Sequence, residues 1–120
     1  MAAPDLNAWI DEVKALPDAD KAGMLLVHRG IVRGSTRAGD PVSGMLLAYD
    51  RDRLEEVLAD ARTWPGIVAV RAWVNEGSLV VGDDIMSVLV AGDIRENVFD
   101  ALQKLVRTIK TEVVTEDERP

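Results

Sequence analysis

Apolar residues recur with the period of an α-helix in three stretches of the chain. They return every three or four positions, which places them on one helical face. Asp5 is a suitable N-cap for the first helix, and Pro17 would end it. Asp93 and Glu96 have the spacing of a capping box at the start of the third. The helices and faces are residues 5–16 (Leu6, Trp9, Ile10, Val13, Leu16), residues 51–64 (Leu54, Val57, Leu58, Ala61) and residues 93–110 (Val98, Leu102, Leu105, Ile109).

Other stretches are rich in β-branched residues or alternate with period 2, which is typical of strands. Between residues 67 and 74, small apolar side chains alternate with Arg71 and Trp73. Glycines and a proline surround the loop at residues 34–41. Strands are predicted at residues 24–33, 42–50, 67–77 and 84–92, with a short apolar piece at 78–83 and an edge strand that begins within 111–115.

The element order α-β-β-α-β-β-α-β predicts an α+β fold, with helices on one face of a mixed, mostly antiparallel sheet. A chain of 120 residues is expected to form a single domain. We divide it into an N-terminal helix and connector (1–20), an α+β core (22–115) and an acidic tail (116–120).

Composition narrows the function classes. The net charge of -7 argues against a nucleic-acid surface. The chain has no cysteine and one histidine, which excludes thiolate chemistry and histidine-rich metal centres and leaves a carboxylate-only site as the sole metal option. A turn and a solvated terminus explain the paired carboxylates better, so we expect no metal and no cofactor. No apolar run approaches the roughly 20 residues that span a bilayer. The N-terminus has no signal-peptide pattern, so we expect a cytoplasmic protein without a membrane partner.

Cations are concentrated between residues 27 and 40. This segment holds His28, Arg29, Arg33 and Arg37 among three glycines. Strand alternation would place Arg29 and Arg33 on one side, about 13 Å apart. The planar guanidinium of arginine suits phosphate or carboxylate, so the segment is a candidate anion site. The alternative is a charged strand end that only keeps the sheet soluble.

The third helix carries a second group of cations, with Arg95 at its start and Lys110 at its end. The helix dipole also stabilises cations in the last turn of a helix. The alternative is therefore that Lys110 serves only the helix dipole. Fifteen residues separate the two, or about 22 Å along a helix. Both can touch one small ligand only if a second protomer completes the site.

Three segments in this order resemble the large, catalytic subunit of molybdopterin synthase. They are GIVRGSTRAGDPVSGMLLAY (30–49), NEGSLVVGDDIMSVLVAG (75–92) and IRENVFDALQKLVRTIK (94–110). The resemblance extends over about residues 23–112. It implies an α/β hammerhead-type fold and a homodimer.

The resemblance also implies a function. Members of that family bind a small ubiquitin-like carrier subunit with a C-terminal thiocarboxylate. They transfer two sulfurs to cyclic pyranopterin monophosphate, forming molybdopterin. By this resemblance Lys110 would be the catalytic lysine, and Arg33 and Arg95 would hold the phosphate or neighbouring anionic groups. Arg37 is expected to help bind the anion.

The chain departs from the family pattern at several positions. Ile94 stands where the family has a histidine, and Val74 and Asn75 replace a histidine–arginine pair. Ala48 replaces a glutamate, and the segment 113–118, VVTEDE, has an acidic residue in place of a second lysine. The chain is also short at its C-terminus relative to the family. It therefore resembles a divergent member.

These departures leave two alternatives to sulfur transfer. One is a relative that binds a pterin phosphate or another anion without catalysis. The other is a dimeric adaptor that uses the sheet around Trp73 as an interface.

Overall fold

The structure is a computed structural model that describes residues 3–120. These residues form three α-helices and six strands, with one short 3-10 turn at Ala19–Lys21. The helices are α1 (Leu6–Lys14), α2 (Arg51–Ala61) and α3 (Arg95–Glu112). The strands are β1 (Met24–Ile31), β2 (Gly44–Tyr49), β3 (Ile67–Val74), β4 (Gly77–Val80), β5 (Asp84–Gly92) and β6 (Val114–Arg119).

The helices form where the apolar periodicity predicted them, but α3 is capped differently. Asp5 is the N-cap of α1, and its carboxylate accepts from the backbone N–H of Asn7 at 2.9 Å. The N-cap of α3 is Ile94, so the predicted capping box with Glu96 is wrong. Asp93 lies one residue too early, and its Oδ1 instead accepts from the Asn97 amide at 2.9 Å.

The strands form two antiparallel three-stranded sheets rather than the one mixed sheet that we expected. The first has the order β1-β5-β3, and the second has the order β4-β2-β6. The strands divide into two sheets because of the short apolar piece that was predicted at residues 78–83. It forms β4, which pairs with β2 instead of extending the sheet of β3 and β5. The α+β class is as predicted.

Helices cover both faces of the first sheet, which corrects the prediction of a single covered face. β5 is its central strand, and its side chains alternate between two hydrophobic cores. Leu89 and Ala91 pack with Val13 of α1. Val88 and Val90 pack with residues of α2 and α3. A strand buried on both faces reads as a continuous apolar run.

The C-terminal residues are part of the second sheet, so the expectation of an acidic tail at 116–120 is wrong. β6 pairs with β2 from Tyr49 opposite Val114 to Gly44 opposite Arg119. The backbone N–H of Ser43 donates to the carbonyl of Arg119 at 2.8 Å and extends this ladder. The free edge of β2 supplies the hydrogen bonds that keep this acidic sequence in an extended strand.

Within residues 3–120, no helix is long and apolar enough to cross a bilayer.

Gly44 provides a test of the pairing between β2 and β4. A Cβ at this position would collide with the carbonyl oxygen of Leu79, which belongs to the backbone of the paired strand. Relief requires the strands to separate, so we expect Gly44→Ala to lower the free energy of unfolding by about 1–3 kcal/mol. Urea unfolding followed by circular dichroism measures the change.

Gly34→Ala is the matched control, because its nearest new neighbour would be Val81 Cγ1 at an ordinary 3.9 Å. Equal stability of the two variants would contradict the predicted clash.

Candidate functional site

An open cavity of about 800 Å³ lies between the loop that follows β1, the C-terminal end of α3 and the strand β6. Cations, carboxylates, hydroxyls and apolar side chains all line it. They are Ile31, Arg33, Ser35, Thr36, Arg37, Ala38, Asp40, Met45, Ile85, Lys110, Glu116 and Glu118.

The loop contributes two arginines from a closed turn. The N–H of Thr36 donates to the carbonyl of Asp40 at 2.8 Å, and Gly39 supplies the positive φ of 92° that closes the turn. The Nε of Arg33 donates to the carbonyl of Ser35 at 2.9 Å, which orients its guanidinium. Among the residues described, neither Arg33 nor Arg37 forms an ion pair. Both are therefore available to a ligand.

Lys110 enters the cavity from the last turn of α3. The helix is anchored below it by Leu105 and Ile109, both fully buried. The Nζ of Lys110 lies 3.7 Å from Oε1 of Glu116, the carboxylate that β6 places beside it. The sequence predicted Lys110 as the catalytic lysine without predicting this carboxylate partner.

His28 lies in β1 near the same end of α3. Burial lowers the pKa of its imidazole below the ordinary value of 6.5, and the charge of Lys110 lowers it further. Its Nε2 is buried and has no hydrogen-bond partner within residues 3–120. Both effects favour the neutral imidazole.

Arg95 is not part of this cavity. It lies at the other end of α3, beside a separate cavity of about 320 Å³ that it shares with Gly23, Met24 and Ile94. The structure thus brings together Arg33, Arg37 and Lys110 of the four predicted site residues. Within one protomer it leaves Arg95 at the opposite end of the helix.

Arg29 also lies apart from the cavity, so the prediction that Arg29 and Arg33 share one strand face is wrong. The Nε of Arg29 donates to the hydroxyl of Ser87 at 3.1 Å, and its guanidinium lies 3.8 Å from Asp84. β1 ends at Ile31, after a register shift against β5, so the alternation does not continue to Arg33.

The sequence analysis missed the carboxylates of the cavity. Glu116 and Glu118 are opposite Leu47 and Met45 of β2, both buried, so they share the inward face of the second sheet. Asp40 comes from the loop. The alternation in residues 114–119 would have placed both glutamates on one face, had this segment been interpreted as a strand. The three carboxylates oppose three cations, so the cavity has mixed charge.

The fold and the cavity define an α+β protein of two antiparallel three-stranded sheets with a mixed-charge cavity at the end of its longest helix. The family model described as "MoaE protein" matches residues 3–112. The chain belongs to the MoaE family, as its sequence motifs predicted, and its role is in molybdenum cofactor biosynthesis.

Solved structures agree with this assignment. The molybdopterin biosynthesis MoaE protein of Burkholderia ambifaria MC40-6 is 28% identical, with a TM-score of 0.76 over 99% of this chain and 83% of that one. Two further structures share the fold at lower identity. Molybdopterin synthase from Staphylococcus aureus is 20% identical, with a TM-score of 0.71 over 83% of this chain and 76% of that one.

The other is a complex of subunits 1 and 2 of molybdopterin-converting factor from Helicobacter pylori 26695. It is 17% identical, with a TM-score of 0.69 over 97% of this chain and 79% of the matched chain. No curated protein sequence matches the chain significantly.

The proximity of His28 and Lys110 can be tested by titration. Replacing Lys110 with Met removes its charge, so the pKa of His28 is expected to rise toward 6.5. The chain has one histidine, so its imidazole resonances are unambiguous in a proton NMR titration. Lys104→Met is the control, because Lys104 lies 4.3 Å from the ring centroid of Trp64 and does not line the cavity.

An unchanged pKa in Lys110→Met would mean that the two side chains are not close.

Because the folded-state pKa of His28 is below the unfolded value, stability from this group is lost as the pH falls through 6.5 toward the folded-state pKa.

Proposed function

We propose that the chain transfers sulfur from a thiocarboxylated carrier subunit to cyclic pyranopterin monophosphate, which forms molybdopterin. The observation that carries this proposal is the cavity in which Arg33, Arg37 and Lys110 converge. Family membership supports the pathway. The proposal places the reaction in the cytoplasm.

The arginines are assigned to the anionic part of the substrate. Within residues 3–120, the guanidinium groups of Arg33 and Arg37 form no ion pair, and both line the cavity. Each can form charge-assisted hydrogen bonds with phosphate oxygens, and these bonds are roughly twice as strong as neutral ones. The hydroxyls of Ser35 and Thr36 line the same wall. This wall is therefore the phosphate side of the proposed site.

Lys110 is assigned to the reacting end. Its ammonium would stabilise negative charge that develops as sulfur leaves the carrier and bonds to the pterin. In each transfer, water hydrolyses the acyl–sulfur bond of the carrier and leaves a carboxylate. A carbon–oxygen bond of the pterin side chain breaks as the new carbon–sulfur bond forms, and the oxygen leaves as water from the ketone or stays on the phosphate as the cyclic ester opens. Two transfers give the dithiolene. Because the carrier delivers the sulfur, the transfer needs no thiol from this chain, which has no cysteine.

The partner in this proposal is the small carrier subunit. The complex from Helicobacter pylori joins subunits 1 and 2 of its converting factor. By analogy, the carrier's C-terminus would enter the open cavity from solvent and bring its thiocarboxylate to Lys110. The cavity, at about 800 Å³, has room for a drug-sized ligand and part of an extended tail.

Homodimerisation is part of the proposal, because it explains how Arg95 can reach a substrate that is bound beside Lys110. About 22 Å of helix separates Arg95 from Lys110, so one protomer brings only Lys110 to the substrate. In a two-fold dimer each protomer can contribute Arg95 to the other's cavity. The exposed position of Arg95 at the start of α3 supports such a contribution.

A second candidate function is anion or pterin-phosphate binding without catalysis. The contact between Lys110 and Glu116 favours it, because the carboxylate offsets the charge that catalysis would use. In this alternative Arg33 and Arg37 still bind the anion, but no sulfur is transferred.

Replacing Lys110 separates the two candidates. In an assay with a thiocarboxylated carrier and the cyclic pterin precursor, we expect Lys110→Ala to lower turnover about a hundred- to ten-thousandfold. Lys104→Ala on the same helix, outside the cavity, is the control and should retain activity. Unchanged turnover in Lys110→Ala would contradict the assigned role, and an inactive wild type beside a working control synthase would favour the binding protein.

Subunit complementation tests the shared site. We expect the Arg95→Ala and Lys110→Ala dimers each to be inactive. After mixing and subunit exchange, hybrids would carry one intact site, which restores about a quarter of wild-type turnover. No recovery, despite hybrid formation shown by mass spectrometry, would place Arg95 outside the site.

A further inference from the structure

The strand β6 forms an acidic wall of the cavity that the arginine loop also lines. Its register with β2 sets Glu116 opposite Leu47 and Glu118 opposite Met45. Both glutamates line the cavity, whereas Asp117 between them is opposite the exposed Leu46 on the outer face. The backbone pairing of β6 with β2 therefore fixes the face of the sheet on which each acidic side chain lies.

The two glutamates differ in what they contact. Glu116 is 3.7 Å from the Lys110 ammonium, so its charge is already balanced. Glu118 forms no ion pair within the described chain, although it faces the same cavity. Residues 3–120 contain no group of three or more His, Cys, Asp or Glu side chains that could hold a metal ion. The carboxylate of Glu118 is thus a free hydrogen-bond acceptor.

Apolar side chains line the same cavity as this acceptor and the arginines. Met45 and Ile85 line the cavity and are only 4% and 5% exposed, so both side chains are packed into the core beneath it. Ile31, 55% exposed, adds further apolar area. An apolar surface with charged groups around it suits a flat ring, whose faces contact carbon and whose edges hold polar groups.

We propose that Glu118 binds the N–H donor edge of a planar ligand ring, while Arg33 and Arg37 hold an anionic group on the ring's other side. This inference rests on the proposed function and gives the pterin an orientation in the cavity. The aminopyrimidinone edge of a pterin presents a ring N–H and an adjacent amino group. These two parallel donors match the two oxygens of a carboxylate, as a guanidinium does.

The arrangement makes the cavity selective. An anion without a donor edge would meet the carboxylates of Glu116 and Glu118 as well as the arginines, and like charges repel it. A neutral ring with the donor edge would gain the hydrogen bonds of Glu118 without the phosphate contacts. Only a ligand with both parts satisfies both walls.

Titration with two probes tests this assignment. An unphosphorylated pterin reports on the ring side through its fluorescence, and inorganic phosphate reports on the anion side through amide NMR shifts. We expect Glu118→Gln to weaken pterin binding about tenfold, the loss of one hydrogen bond to a charged group. Phosphate binding should not weaken.

Asp117→Asn is the matched control. It removes the same charge from the neighbouring residue, but on the outer face of the sheet. We expect it to leave the affinity for both probes unchanged, which separates a direct contact from a general effect of net charge.

Three results would overturn the inference. They are an unchanged pterin affinity in Glu118→Gln, an equal loss of affinity for the pterin and for phosphate in that variant, or no binding of the pterin to the wild type. The sulfur-transfer assay distinguishes these results from failure of the proposed function. A wild type that forms molybdopterin while Glu118→Gln leaves pterin affinity unchanged rejects only the role of Glu118. A wild type that binds pterin through Glu118 but transfers no sulfur rejects only the catalysis.

Discussion

The turn at Val113, between α3 and β6, is the constraint on which the candidate site depends. Val113 is 4% exposed, and its N–H donates to the carbonyl of Ile109 at 3.0 Å. Its own carbonyl accepts from the N–H of Asp50 at 2.9 Å, which ties the turn to the end of β2. The chain then reverses into β6, so Glu116 is brought back beside Lys110. A single reversal thus builds two walls of the cavity.

Magnitudes show which interactions hold this arrangement. Fully burying a side chain such as Leu105 or Ile109 contributes about 1.5–3 kcal/mol. The ion pair of Lys110 and Glu116 is partly exposed, at 44% and 25%, and such pairs contribute about 0–1 kcal/mol. The hydrophobic anchoring of α3 and the backbone ladder of β6 therefore position the charged groups. The charges remain free to exchange partners when a ligand binds.

Local signals predicted the helices well, because apolar faces and N-caps such as Asp5 depend on residues close together in the chain. They did not predict the division into two sheets, since strand pairing depends on which edges meet in space. They also assigned residues 116–120 to a tail, because an acidic sequence has low strand propensity on its own and only the edge of β2 makes it a strand. Arg33, Arg37 and Lys110, which line one cavity, were predicted as site residues, whereas the presence of Glu118 in that cavity depends on the register of β6 and was not predicted.

The cavity combines cationic side chains with an acidic strand, and we assign each to one end of the same ligand. A crystal structure of the protein with cyclic pyranopterin monophosphate tests this most directly. The account predicts phosphate oxygens within hydrogen-bonding distance of Arg33 and Arg37, with the ring against Met45 and Ile85. Density for the ligand at the Arg95 cavity of one protomer, with the arginine loop empty, would contradict it.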